Sequence, residues 1–116
     1  MARTVCMVKG KELDNVSEDF RSSRRVEQYR ISARALYLPE GLHWKYLPFP
    51  AIIRAVESFR VISAGHCVPV REKRPELDLV TDADIIHLQL EKPASMQMIL
   101  DALKAASVEI SPSVSS

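Results

Sequence analysis

Short stretches of alternating apolar and polar residues recur along the chain and predict β-strands. Between Val26 and Leu38 the alternation extends over most of the length, as in a strand with one buried face. It is cleanest in Ile85–Glu91, where His87 points away from the apolar side. Five further strands are predicted from shorter patterns, at Arg3–Val8, His43–Pro48, Arg54–Ile62, Val68–Arg71 and Glu76–Thr81.

Turn-forming residues separate these predicted strands. Pro39–Gly41 predicts a hairpin turn, Glu72–Pro75 a charged turn between two short strands, and Asp82–Asp84 a tight connection. The apolar spacing in residues 51–62 fits a helix as well as a strand. Because this stretch is rich in β-branched residues, we favour a single turn after Pro50 followed by a strand.

One amphipathic helix is predicted near the end of the chain. It begins at Pro93, since the missing N–H of proline costs nothing in a first helical turn. Residues three and four positions apart then form one apolar stripe: Met96, Ile99, Leu100 and Leu103. The polar segment Lys9–Ser23 predicts a loop, and residues 107–116 predict a flexible tail. We therefore expect a single β-rich α+β domain over residues 1–106, with a first strand and a loop in residues 1–25 and antiparallel meander connections.

The composition is that of an ordinary globular domain. The chain has 116 residues, of which 47% are hydrophobic and 27% charged. No apolar run approaches the ~20 residues of a membrane helix, and the first apolar run is too short for a secretory signal. The two cysteines, Cys6 and Cys67, do not make a disulfide framework and are expected to be reduced. These features predict a cytoplasmic protein.

The near-neutral net charge of +1 conceals an uneven distribution. Residues 1–74 contain 14 basic and 8 acidic residues, a net charge of +6, whereas residues 75–116 contain 2 basic and 7 acidic residues, a net charge of −5. The basic residues are densest around Arg21, Arg24 and Arg25. Such a split produces a bipolar surface, unless strands of the two parts pair and neutralise each other. In so small a domain, neutralisation by strand pairing is favoured.

Two segments and the predicted helix resemble bacterial pleckstrin-homology-like (PH-like) domains. The segment Tyr29–Pro39, which reads YRISARALYLP, resembles their second strand. The segment Trp44–Val56, which reads WKYLPFPAIIRAV, resembles the strand that leads into a proline-containing corner. The predicted helix stands where the family's C-terminal capping helix stands. This resemblance covers residues 26–106 and implies a strongly bent, seven-stranded antiparallel sheet or barrel, plugged at one end by the helix.

The sequence contains no pattern typical of an enzyme or a metal site. The three histidines lack metal-site spacing, and neither a glycine-rich phosphate loop nor a nucleophile motif occurs. His66 and Cys67 are adjacent and could supply two metal ligands or a thiolate pair to a small enzyme, a third and weaker hypothesis. Because neighbouring residues on a strand point to opposite faces, a pair without chemistry is favoured. Asp82 and Asp84 are expected to cap turn amides rather than to hold a cation. We therefore predict a non-enzymatic protein without a metal or other cofactor.

Our leading hypothesis from the sequence is a domain that acts through protein–protein contact, above all by self-association. A charge-split surface and free strand edges favour this function. Trp44 and Phe49 are candidate interface residues if the corner at Pro48 and Pro50 lies at the surface. They belong to the core if this corner folds beneath the helix.

The alternative hypothesis is a module that binds an anionic ligand or headgroup through Arg21, Arg24 and Arg25. Arginine suits phosphate and carboxylate groups, and the PH-like resemblance implies headgroup binding at a basic first loop. Nucleic-acid binding is not favoured, because no aromatic residues are interleaved with Arg21, Arg24 and Arg25.

Overall fold

The computed structural model of the chain describes residues 3–8, 10, 12–64 and 70–111. Within these residues, nine strands and two α-helices form the fold. The elements are β1 (Arg3–Cys6), α1 (Val16–Ser22), β2 (Arg24–Val26), β3 (Tyr29–Ile31), β4 (Ala35–Glu40), β5 (His43–Pro48), a 3₁₀ turn (Phe49–Ala51), β6 (Ile52–Ala64), β7 (Val70–Thr81), β8 (Ile85–Gln89), α2 (Pro93–Ala105) and β9 (Glu109–Ser111).

The strands form two separate sheets. The five-stranded sheet has the order β1-β5-β4-β3-β2, and the four-stranded sheet has the order β8-β7-β6-β9. The β-rich α+β class is therefore confirmed. In place of the expected single, bent seven-stranded sheet or barrel, the described strands form two sheets and no closed barrel. The chain leaves the first sheet at Pro48 and enters the second at Ile52, after the 3₁₀ turn. Prolines at positions 48 and 50 lack the N–H donors that would continue a ladder across this corner.

Antiparallel pairing accounts for seven of the nine strands described. Strands β2 to β5 pair in sequence order, as do β6, β7 and β8. The two outer additions, β1 on β5 and β9 on β6, are parallel, which the expected meander did not include. We expected a flexible tail from Ser107, but Glu109–Ser111 forms β9. Residues 112–116 of that predicted tail lie outside the described residues.

The single strand predicted over Val26–Leu38 is wrong, because two tight turns divide it into β2, β3 and β4. Glu27 adopts a left-handed conformation (φ 56°) in the first turn. In the second turn, the Ser32 hydroxyl accepts hydrogen bonds from the N–H groups of Arg34 (3.1 Å) and Ala35 (3.0 Å). Neither turn contains glycine or proline, so the usual sequence signals were absent.

Two other predicted connections are also wrong. The predicted charged turn at Glu72–Pro75 is part of β7, which runs without a break from Val70 to Thr81. Pro75 is tolerated there because its carbonyl accepts the N–H of Leu90 (3.0 Å), so its missing N–H lies on that same outer edge. The predicted loop at Lys9–Ser23 contains the helix α1.

The main core lies between the two sheets and beneath α2. The apolar stripe predicted for this helix is confirmed, since Met96, Ile99, Leu100 and Leu103 are all buried. They pack against apolar residues contributed by both sheets, including Leu36, Leu47, Leu77, Leu79 and Leu88. The opposite face of the four-stranded sheet carries no covering element in the part of the chain that the structure describes.

A second, smaller core holds α1 against the other face of the five-stranded sheet. The Asp19 carboxylate on α1 is buried and accepts hydrogen bonds from the hydroxyls of Ser32 (2.6 Å) and Tyr37. Burial, together with Asp19, raises the pKa of Tyr37, so its hydroxyl remains a donor. A seven-residue helix is marginal on its own, so these contacts and the packing of Phe20 on Tyr37 (5.1 Å between ring centroids) hold α1 in place.

Candidate self-association surface

Strands β6 and β7 extend beyond their neighbours as a two-stranded ribbon. The two strands pair from Ile52 and Thr81 up to Ala64 and Val70. In contrast, β8 pairs only with residues 76–80 of β7, and β9 only with residues 54–56 of β6. The principal extents are 52 × 30 × 23 Å. The radius of gyration is 15.2 Å, against about 13 Å for a compact chain of this length.

The β7 edge of this ribbon has features that prevent pairing with another chain. Where the pairing of β7 with β8 ends, the next residue along this edge is Pro75, which has no N–H to donate to a new strand. The four residues before it, from Arg71 to Arg74, are all of charged types. Arg74 and Arg60, which face each other across the ribbon, both form ion pairs with Glu91 beyond β8. Proline and charge are the usual means of blocking strand addition at an edge.

The β6 edge lacks these features. From Ser58 to Ala64 it contains four apolar residues, one charged residue and no proline. Among the residues that the structure describes, no strand pairs with β6 beyond Val56 on this side. Within the described residues, β6 from Arg60 to Ala64 therefore has no strand beside it on this side.

The hydrogen bond of Pro75 shows which residues of β6 direct their backbone N–H and C=O groups to the open edge. The Pro75 carbonyl faces β8 and points away from β6. Phe59, which pairs with Pro75, therefore directs its own N–H and C=O groups away from β7. Because this direction alternates along a strand, Val61 and Ser63 direct their N–H and C=O groups to the open edge. These are the groups that a further strand would bond.

The three arginines of the sequence-based ligand hypothesis do not converge on one site. Arg24 lines a cleft of about 680 Å³ between β2 and α2, together with Ile31 and Met98. Arg25 pairs across the hairpin with Arg30, whose guanidinium lies over Phe20 on the α1 side. Arg21 is exposed in the last turn of α1. The sheet therefore separates Arg24 from Arg25.

The two candidate interface residues near the proline corner are buried or half-buried within the fold. Phe49 is only 2% exposed and belongs to the main core, so the core alternative applies to this residue. Trp44 is half-buried and packs on Phe20 of α1, with 5.3 Å between ring centroids. Neither residue forms part of the open ribbon.

The other chemical groups singled out in the sequence have structural roles or lie elsewhere. In the Asp82–Asp84 turn, the Asp84 carboxylate accepts the N–H of Ile85 (2.8 Å), as expected of a turn residue. His66 and Cys67 lie outside the described residues. His87 is solvent-facing, as predicted, with its side chain 61% exposed. Its Nδ1 lies 2.6 Å from Asp78 Oδ1, and this hydrogen bond raises the pKa of His87.

Comparisons with known proteins add no assignment. No family model, curated protein or solved structure matches this chain. Within the described residues, neither α-helix combines the length and the apolar character that crossing a membrane requires.

Proposed function

We propose that this chain is a non-enzymatic, cytoplasmic, PH-like interaction domain that self-associates by pairing β6 of one copy with β6 of a second copy. The observation that carries this proposal is the contrast between the two ribbon edges. The β7 edge is blocked by proline and charge, whereas the β6 edge is apolar in composition and, from Arg60 to Ala64, has no described strand beside it. Strand addition at such an edge is a common mode of protein association.

A second copy fits this edge better than an unrelated strand would. Antiparallel pairing centred on Val61 relates the two copies by a two-fold axis, the commonest symmetry of protein dimers. In this register Arg60 lies opposite Ile62 of the second copy, so the one charged residue of the edge does not face its equivalent. Pairing also stabilises the ribbon, because an isolated two-stranded ribbon is only marginally stable and the paired ribbons form four strands.

The order of the elements supports the PH-like part of the proposal. Four antiparallel strands in sequence order are followed by three more and then by the helix α2. The additional parallel strands β1 and β9 are not part of the implied family pattern. The anionic-ligand alternative receives less support, because Arg24 and Arg25 lie on opposite faces of the sheet.

Replacing Val61 by proline tests the edge pairing without touching a hydrogen bond between β6 and β7. The Val61 N–H points to the open edge, so Val61→Pro removes a donor only from the proposed interface. We expect the unmodified chain to elute as a dimer in size-exclusion chromatography with light scattering, and the V61P variant as a monomer.

Val61→Thr is the matched control, because threonine keeps both the N–H and the β-branched shape. V61T should remain dimeric, and circular dichroism should show the same strand content in all three proteins. An unmodified chain that stays monomeric at every accessible concentration would refute the proposal. So would a V61P variant that dimerises as strongly as the unmodified chain.

A further inference from the structure

The uncovered face of the four-stranded sheet brings together three residues with metal-binding groups. Leu77, Leu79 and Leu88 are fully buried, so the alternating residues of β7 and β8 lie on the opposite, outer face. Glu76 and Asp78 stand two positions apart on β7, and His87 is the direct cross-strand partner of Asp78. Two positions on one strand and one on its neighbour therefore meet at one point of the sheet.

The distances between these groups are close to those around a single ion. One ligand atom from each of Glu76, Asp78 and His87 can be chosen so that all three lie within 4.8 Å of one another. Atoms bound to a common zinc ion at ~2.1 Å are themselves roughly 3–4 Å apart. Because the His87 side chain is exposed and the two carboxylates are half-buried, small side-chain rotations cover the difference.

The charges on this face leave the two carboxylates available to a cation. The Glu76 carboxylate has no hydrogen-bond or ion-pair partner among the described residues, and the Asp78 carboxylate has only His87. Two basic residues further along the same face, Arg60 and Arg74, both form ion pairs with Glu91. The carboxylates carry two negative charges, which match the charge of a divalent ion.

We propose that Glu76, Asp78 and His87 form a binding site for a divalent first-row transition metal ion, such as Zn²⁺. An imidazole nitrogen with carboxylate oxygens suits these ions, whereas Mg²⁺ and Ca²⁺ prefer oxygen ligands alone. Three protein ligands leave at least one coordination position for water or another donor. On binding, the proton between His87 Nδ1 and Asp78 moves to Nε2, or leaves for solvent when both ring nitrogens carry a proton, and both groups then bond to the ion.

The site is independent of the proposed self-association. It lies on the β7–β8 face, whereas the proposed dimer uses the backbone edge of β6. The V61P variant should therefore bind the ion as the unmodified chain does. Failure of either proposal leaves the other intact.

Titration of the metal-free full chain with ZnCl₂ in a calorimeter tests the proposal. We expect one site, and we expect His87→Ala and Asp78→Asn each to weaken binding at least ~10-fold, since even indirect support of a metal ligand is worth that much. Absorption of bound Co²⁺ gives a second readout, because its visible spectrum should change in both variants. Circular dichroism without metal checks that both variants fold.

Matched controls separate this site from general charge and from other histidines. Glu109→Gln removes one negative charge elsewhere on the same sheet, and His43→Ala removes an exposed histidine of the other sheet. Both should bind Zn²⁺ as the unmodified chain does. Equal binding by H87A and D78N would overturn the proposal. Binding that is lost only on replacing His66 and Cys67 would overturn it too, by assigning the ion to that pair.

Discussion

At the scale of single residues, Glu27 links the two sheets through one carboxylate. Its oxygens accept hydrogen bonds from the backbone N–H groups of Glu91 (2.8 and 2.9 Å) and Lys92 (3.1 Å), where β8 leads into α2. Burial by itself raises the pKa of Glu27. The hydrogen bonds from the Ser95 hydroxyl and from these two amides outweigh burial and hold the pKa below its usual value.

We therefore expect Glu27→Gln to lower the free energy of unfolding by about 1 kcal/mol at neutral pH, a value reduced for partial exposure. Because the folded-state pKa is depressed, this contribution is present above the unfolded-state value near 4.5 and is lost as the pH falls through the folded-state pKa. Urea unfolding at neutral and acidic pH measures the difference. The difference in the free energy of unfolding between the unmodified chain and the variant should shrink in acid. A difference that does not depend on pH would contradict this role of the Glu27 carboxylate.

Glu40→Gln is the control for this measurement. Glu40 is exposed and forms a surface ion pair with Lys45. Exposed ion pairs contribute little to the free energy of unfolding. This variant should therefore unfold at almost the same urea concentration as the unmodified chain.

At the scale of elements, α2 is held mainly by the stripe of residues that it buries. Leu103 is fully buried in the main core, so we expect Leu103→Ala to lower the free energy of unfolding by about 2–5 kcal/mol through lost burial and a cavity. Lys104→Ala, on the exposed side of the same turn, should change it by less than about 0.5 kcal/mol. Urea denaturation compares the two, and equal losses would contradict this account of the helix.

At the scale of the whole molecule, part of the charge split is neutralised within the four-stranded sheet and part is not. Arg60 and Arg74 of the basic part form ion pairs with Glu91 of the acidic part. Arg21, Arg24 and Arg25 belong to α1 and to the edge of the five-stranded sheet, whereas the acidic residues Glu76 and Asp78 lie on the four-stranded one. In the described part of the chain, no ion pair joins the two groups. The strand pairing that would have neutralised these arginines therefore does not occur there.

Salt dependence distinguishes two ways in which such a molecule can self-associate. A head-to-tail contact between basic and acidic surfaces weakens steeply at 1 M salt, where the screening length falls to about 3 Å. Pairing of β6 edges relies on backbone hydrogen bonds and apolar contact, so the dimer should persist. Light scattering at low and high salt checks this, and a dimer present only at low salt would contradict edge pairing.

Much of the fold could be predicted from local patterns alone. The hairpin of β4 and β5, the strand β8 and the buried stripe of α2 follow from residue periodicity, because each element has one buried face. The solvent-facing position of His87 follows in the same way. The positions of α1 and of the turns around Glu27 and Ser32 could not, because side chains distant in sequence stabilise them.

The candidate sites depended on contacts that sequence spacing did not reveal. The pairing of Asp78 with His87 follows from the register of β7 on β8, once the turn between these strands is fixed. The open ribbon arises because β7 continues through Pro75, a residue that locally signals a turn. The sequence by itself determined which faces are apolar, since that depends on near neighbours. Only the tertiary structure decided which edges are covered and which charges meet, because those depend on residues far apart in the chain.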